Sequence, residues 1–144
     1  MPENPATYRC AVTRFALDPP ALLTIAGSSR SVPQAHQLVA PSSIRSDAMD
    51  VLLGRVRGGE LTEHAALDLH ERMTELKIRL LGDRVSRRTA WRIAREHDMA
   101  TTHEAQYLAV ATLQADALIA LDPKLAALAA SVVPLAALAD FYAG

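Results

Sequence analysis

Four acidic residues carry the chemistry that this sequence could perform. Asp18 and Asp122 each stand between an apolar run and a proline, in FALDPP and IALDPK, while Asp47 and Glu104 lie near the starts of two helical patterns. Carboxylates brought together repel one another, so a shared site requires protons or divalent cations. Ligands that are all oxygen select hard ions such as Mg²⁺ or Mn²⁺. The chemistry that this combination predicts is hydrolysis of a phosphodiester by metal-activated water.

Each acid also has an ordinary structural explanation. Asp before Pro is the common N-cap of a helix, so capping alone accounts for Asp18 and Asp122. The segment TTHE at 101–104 has the pattern of a capping box. Asp47 falls at the edge of the apolar arc of its helix, where a solvated side chain is common. Glu104 begins the inner stripe of a very apolar helix, so its carboxylate must be neutral, hydrogen-bonded or paired with a cation.

Alternating strands and helices must position these acids. We predict strands at 12–17, 78–81, 117–121 and 132–133, with a short one at 38–39, and helices at 19–26, 43–57, 62–76, 86–97, 102–114, 123–130 and 136–141. Because ALIAL at 117–121 is apolar at every position, it favours a parallel sheet covered on both faces. The predicted fold class is a three-layer α/β/α sandwich with a mainly parallel sheet. In such sheets, sites form beyond the carboxyl ends of the strands.

Length and composition limit the number of domains and the classes of function that are possible. The 144 residues suit one domain, which we place at 11–144 after a flexible segment at 1–10. Fifteen Lys and Arg nearly balance sixteen Asp and Glu, so no global basic field holds nucleic acid. The single cysteine, Cys10, excludes a disulfide framework and, with the lack of a secretory pattern at the start, indicates a cytoplasmic protein. Charges and prolines interrupt the apolar stretch 117–139, so no membrane span is expected.

The motifs around the acids resemble a PIN domain, and in particular the VapC-like toxin ribonucleases of toxin-antitoxin pairs. The resemblance is carried by HEAQYLAVATLQADALIALDPKL at 103–125, by VAPSSIRSDAMDVLLGRVRGGELT at 39–62 and by FALDPPALL at 15–23. It implies that Asp18, Asp47, Glu104 and Asp122 are the catalytic acids that hold Mg²⁺ or Mn²⁺. It also implies RNA cleavage, a homodimer, and inhibition by a cognate antitoxin protein.

The chain departs from the family pattern at four positions near these acids. The family usually has Glu at the position of Asp47 and Asp at that of Glu104. Pro20 replaces a hydroxyl residue, and Asp50 stands where an Asn is common. These departures motivate an alternative function, a catalytically silent PIN-like module that binds a protein partner or RNA without cutting it.

Other polar groups give weaker signals. Arg88, Arg92 and Arg95 recur at helical spacing around Trp91, which is compatible with an RNA-binding surface or with a solvated helix whose tryptophan packs into the core or a dimer interface. No Gly-rich loop follows a strand, which argues against nucleotide-binding folds. The serines near the second long helix suit helix initiation. We interpret the histidines as surface or packing residues: His36, His64, His70, His97 and His103.

Overall fold

A computed structural model describes residues 13–143, so the expected flexible segment at 1–10 and the predicted first strand residue, Val12, lie outside the described range. The described strands are β1 (Thr13–Leu17), β2 (His36–Pro41), β3 (Arg79–Leu81) and β4 (Ala117–Ile119). The described helices are α1 (Pro19–Gly27), α2 (Ile44–Arg57), α3 (Glu63–Glu75), α4 (Arg84–Glu96), α5 (His103–Gln114), α6 (Pro123–Ala129) and α7 (Leu138–Tyr142).

The four strands form one parallel sheet in the order β3-β2-β1-β4. Phe15 of β1 lies opposite Leu38 of β2 and Ala117 of β4. The chain moves outward from β1 to β3 and then returns across the sheet to β4. Because parallel crossovers are right-handed, α1 to α3 cover one face and α4 with α5 covers the other. The predicted three-layer α/β/α sandwich is confirmed.

Local sequence explains where several helices begin. Asp18 and Asp122 cap α1 and α6, and each is followed by a proline, whose missing N–H is not needed in the first turn. Asp83 and Thr62 cap α4 and α3 through their side chains. The apolar helix α5 is buried along most of its length and packs on β1, β2 and β4.

One strand prediction is wrong, and one strand length and one side-chain expectation need correction. Val132 and Val133 lie in a turn after α6, and the parallel contact to β4 is a single bridge between Leu118 and Leu135. The short strand predicted at 38–39 spans six residues. Trp91 is 64% exposed, so the expectation that it packs into the core is wrong. Within residues 13–143, no helix combines the length and apolar character needed to cross a bilayer.

Candidate active site

Asp18 and Asp122 meet where the direction of the chain connections reverses. Asp18 follows β1, whose connection leads toward β2, and Asp122 follows β4, whose connection leads to the bridge on the opposite side. Such a switch point opens a crevice beyond the carboxyl ends of the two strands. The backbone N–H of Asp122 donates to Oδ2 of Asp18 at 2.8 Å, so the two residues are adjacent at this edge of the sheet.

Asp18 is fully buried, which is unusual for a carboxylate. Its Oδ1 accepts from the backbone N–H of Ala21 at 2.9 Å and caps α1. Burial raises the pKa of Asp18, and the neighbouring charge of Asp122 adds to the increase, while the backbone N–H donors oppose it. The position therefore holds a carboxylate whose negative charge is costly without a further counter-charge.

Asp47 is held by three side chains that all approach the same oxygen. Oδ2 accepts from the Tyr107 hydroxyl at 2.6 Å and from Ser43 Oγ at 3.0 Å, and His103 Nε2 lies 3.1 Å away. The Asp47 side chain is 14% exposed. Among the hydrogen bonds of the described residues, none ends on Oδ1. One oxygen of Asp47 is thus fixed by the protein and the other remains available to a ligand.

Tyr107 donates a hydrogen bond to Asp47 and is influenced by the charge of Asp18. Its ring is buried on α5, and burial raises the pKa of its hydroxyl far above the ordinary value. The hydrogen bond to Asp47, the charge of Asp47 and that of Asp18 contribute to the same increase. The hydroxyl therefore keeps its proton at neutral pH and acts as a fixed donor toward Asp47.

Glu104 faces a cation rather than its own backbone. Its Oε1 lies 3.8 Å from Nζ of Lys124, which satisfies the expectation that a carboxylate on this apolar helix needs a partner. The predicted capping box is not formed, because Thr102 is the N-cap of α5 and makes no side-chain cap bond. Since Lys124 stands two residues after Asp122, the ion pair links the start of α5 to the crevice.

We call the four predicted acids the acidic site: Asp18, Asp47, Glu104 and Asp122. The backbone N–H of Asp122 contacts Asp18, the Tyr107 hydroxyl contacts Asp47, and Lys124 pairs with Glu104. In the part of the chain that the structure describes, however, no three His, Cys, Asp or Glu side chains are grouped closely enough to hold one ion as they stand.

Sequence reasoning missed four side chains of this site. Ser43 was expected only to start α2, but its hydroxyl donates to Asp47. His103 was expected to be a surface or packing residue; it is exposed, and its Nε2 also lies beside Asp47. Helical spacing offered a signal for both, since Ser43 precedes Asp47 by four residues and His103 precedes Tyr107 by four. Tyr107 and Lys124 gave no separate signal, because their roles depend on how distant elements meet.

The comparisons with known proteins bear on the fold. No family model matches the sequence, and no curated protein matches it. The crystal structure of PAE2754 from Pyrobaculum aerophilum is similar to this chain with a TM-score of 0.68 and 22% sequence identity. The similarity covers 91% of this chain and 96% of that one. At this identity the likeness shows a shared fold over nearly the whole of both chains.

Proposed function

We propose that this chain is a metal-dependent endoribonuclease with a PIN domain of the VapC-like type, acting in the cytoplasm as the toxin of a toxin-antitoxin pair. The observation that carries the proposal is the fully buried Asp18 in contact with Asp122 at the switch point of the sheet. Burial of an acid beside a second acid destabilises the ionised form, and such an arrangement is typical of functional sites.

The donor chemistry of the acidic site fits Mg²⁺ or Mn²⁺. Its four acids offer oxygen ligands only, which hard divalent cations prefer. Asp18 would gain most from a bound cation, since its charge is buried. Asp47 would contribute through Oδ1, while its other oxygen is held by Tyr107 and Ser43. The ion pair of Glu104 is long and Lys124 is 76% exposed, so exchanging that partner requires little free energy.

The protein's own residues would orient and hold the reacting groups. Ser43 and Tyr107 fix the rotamer of Asp47, and the raised pKa of Tyr107 keeps it a donor over the whole physiological pH range. Lys124 would contact a phosphate of the RNA, because its ammonium group lies exposed beside the acids. When bound, the metal would supply an activated water and stabilise charge on the phosphate.

Cleavage of RNA tests this proposal directly. Purified wild-type protein is incubated with a labelled RNA and Mn²⁺ or Mg²⁺, beside Asp18→Asn and Asp122→Asn. Each Asn variant should lose cleavage by at least about 100-fold, since an oxygen ligand and its charge are removed together. Asp68→Asn, an exposed acid on α3 paired with Arg72, is the matched control and should cleave normally. Equal cleavage by all four proteins would show only a contaminating nuclease.

The resemblance also motivates proposals about partners. We expect a homodimer and a cognate antitoxin protein that inhibits the nuclease by occupying the acidic site. Sedimentation of the purified protein tests the dimer. Co-expression with a small neighbouring reading frame tests the antitoxin, because a true partner should co-purify and suppress cleavage. Asp122→Asn should weaken co-purification of the partner if the partner contacts the acidic site.

The second candidate function is a silent PIN-like module that binds RNA or a protein. It is favoured by the ion pair of Glu104 with Lys124, and by the absence of a three-ligand group among residues 13–143. Thermal melts with Mn²⁺ distinguish the two functions. A competent site gains about 2.7 kcal/mol when free metal is 100-fold above Kd, and Asp18→Asn abolishes that gain. A silent module shows no saturable stabilisation in either protein.

A further inference from the structure

The outward face of α4 carries an unusual concentration of arginine. The helix contains five arginines and one acid, Glu96. At 100° per residue, four of the arginines and the tryptophan fall within an arc of about 100°. All five side chains are exposed, on the side opposite the buried residues Ala90 and Ile93. We call this set the α4 surface, and its members are Arg84, Arg88, Trp91, Arg92 and Arg95.

Trp91 lies at the centre of the α4 surface and beside a shallow groove. The groove has a volume of about 530 Å³ and is lined by Val85, Arg88, Thr89, Trp91 and Arg92. Val85 is exposed like Trp91. Exposure of the large apolar indole ring to water is unfavourable, so a tryptophan this exposed commonly marks a binding surface. Among the described residues, no guanidinium group covers the Trp91 ring, and its faces are open to a ligand.

The charges of the α4 surface are weakly neutralised. Arg92 pairs with Glu96 at 3.2 Å, but both side chains are more than half exposed and such a pair contributes little. Arg87, beside the surface, donates to the carbonyl of Gly82. Within residues 13–143, no carboxylate lies in ion-pair range of Arg88. A polyanion would therefore find free guanidinium groups here.

We propose that the α4 surface binds single-stranded RNA, with a base stacked on Trp91 and backbone phosphates on Arg88 and Arg92. Aromatic rings stack on bases of any sequence, and guanidinium groups match phosphate oxygens in pairs. This inference rests on the proposed function in taking RNA as the substrate. Helix α4 packs against α5, which carries Glu104 and Tyr107.

A second copy of the chain fits this face less well than RNA does. In a two-fold interface the same patch meets itself, so arginines of one α4 would approach arginines of the other. Like charges in contact oppose association unless acids intervene, and Glu96 is the one acid of the helix. Charge complementarity therefore favours a polyanion as the occupant.

Trp91 makes the test direct, because it is the one tryptophan of the chain. Its fluorescence is followed while an unstructured oligoribonucleotide is added in EDTA, with Asp18→Asn as the background so that no cleavage occurs. We expect saturable quenching. Removing both charges in Arg88→Gln/Arg92→Gln should raise Kd at least about fivefold and lower the slope of log Kd against log salt by about 1.4, which is 0.7 for each lost phosphate contact.

Matched variants distinguish an effect of the α4 surface on RNA binding from a general effect of positive charge. Arg57→Gln/Arg72→Gln removes the same charge from exposed positions on α2 and α3 and should change Kd less than about twofold. With fluorescently labelled RNA, Trp91→Ala should weaken binding at least about fivefold, while Trp91→Phe keeps most of it.

Three results would overturn the inference: no quenching, equal effects of the two arginine pairs, or conversion of a dimer to a monomer by Trp91→Ala. The last result would identify the face as a subunit interface. Failure here is distinguishable from failure of the proposed function, since binding is measured without metal. If the wild type binds RNA without cutting it, the RNA-binding surface is supported and the nuclease function is rejected. If the α4 variants change neither cleavage nor binding, the nuclease function is supported and the RNA-binding surface is rejected.

Discussion

Replacing Tyr107 with phenylalanine isolates one hydrogen bond of the acidic site. The ring is 3% exposed, and phenylalanine fills the same space without the hydroxyl. Hydrogen bonds to charged groups contribute about 1.5–3 kcal/mol, and Asp47 keeps Ser43 as a donor and His103 as a neighbour, so the lower end applies. We expect a loss of about 1.5 kcal/mol in the free energy of unfolding at pH 7. For a chain of this size, that lowers Tm by roughly 4–6 °C.

A double-mutant cycle shows whether the loss arises from the contact with Asp47. In an Asp47→Ala background the hydroxyl has lost its acceptor, so Tyr107→Phe should be neutral or slightly stabilising there. The coupling energy between the two positions is then about 1.5 kcal/mol. Urea unfolding of the four proteins, followed by circular dichroism, measures it.

Tyr142→Phe is the matched control for this cycle. The Tyr142 hydroxyl is buried and has no hydrogen-bond partner among the described residues, so its removal should cost less than about 0.5 kcal/mol. The reasoning is refuted if Tyr107→Phe and Tyr142→Phe have the same effect, or if the coupling energy is below about 0.5 kcal/mol. In either case the contact would hold Asp47 in place without adding stability.

Three further predictions follow from individual contacts. The pKa of Tyr107 is raised in the folded state, so its contribution to stability is complete below pH 10 and declines above it. In urea melts above pH 10, the free energy of unfolding should fall less steeply with pH for Tyr107→Phe than for the wild type. An equal fall in both proteins would contradict this. A Cβ on Gly82 would overlap Ser42 Oγ, so Gly82→Ala should lower the free energy of unfolding by about 1–2 kcal/mol. Adding Ser42→Ala should restore most of that stability. If it does not, the loss arises from the backbone of Gly82 instead. The hydrogen bond from the Ser86 N–H lowers the pKa of Asp83, so its stabilisation is present above pH 4 and lost as the pH falls through the lower folded value. Thermal melts of Asp83→Ala should show a deficit at pH 7 that shrinks as the pH falls below 4, and a constant deficit would refute a role for the charge.

The layer order of the fold was predictable because its signals are local and repeated. Capped helices alternate with short apolar runs, and this alternation requires a parallel sheet with two helical layers. The prediction of a strand at Val132 and Val133 was wrong because β-branched residues are typical of strands but also occur in other buried segments. Val133 is buried in a turn, and the contact with β4 is made two residues later by Leu135.

Sequence patterns indicated the acids of the candidate site but not the side chains that contact them. The positions of Asp18 and Asp122 follow from strand ends, which sequence patterns mark well. The contact between Tyr107 and Asp47 joins residues 60 positions apart and depends on how α5 crosses the start of α2. The alternatives for Trp91 stayed open for a related reason, because the orientation of an amphipathic helix with an aromatic residue on its polar face is set by tertiary packing.

The capping and metal-binding interpretations of Asp18 do not exclude one another. Its Oδ1 accepts from Ala21 N–H, and its Oδ2 accepts from Asp122 N–H. Each carboxylate oxygen has two acceptor positions, so both oxygens keep one after these bonds are made. The two N–H donors fix the carboxylate in one orientation, and this is what a ligand needs for a defined geometry. Asparagine has one acceptor oxygen, so Asp18→Asn leaves either α1 or Asp122 without its partner. Loss of metal binding in that variant must therefore be compared with its metal-free stability: a defect confined to the metal response identifies a ligand, whereas an equal loss with and without metal identifies a cap.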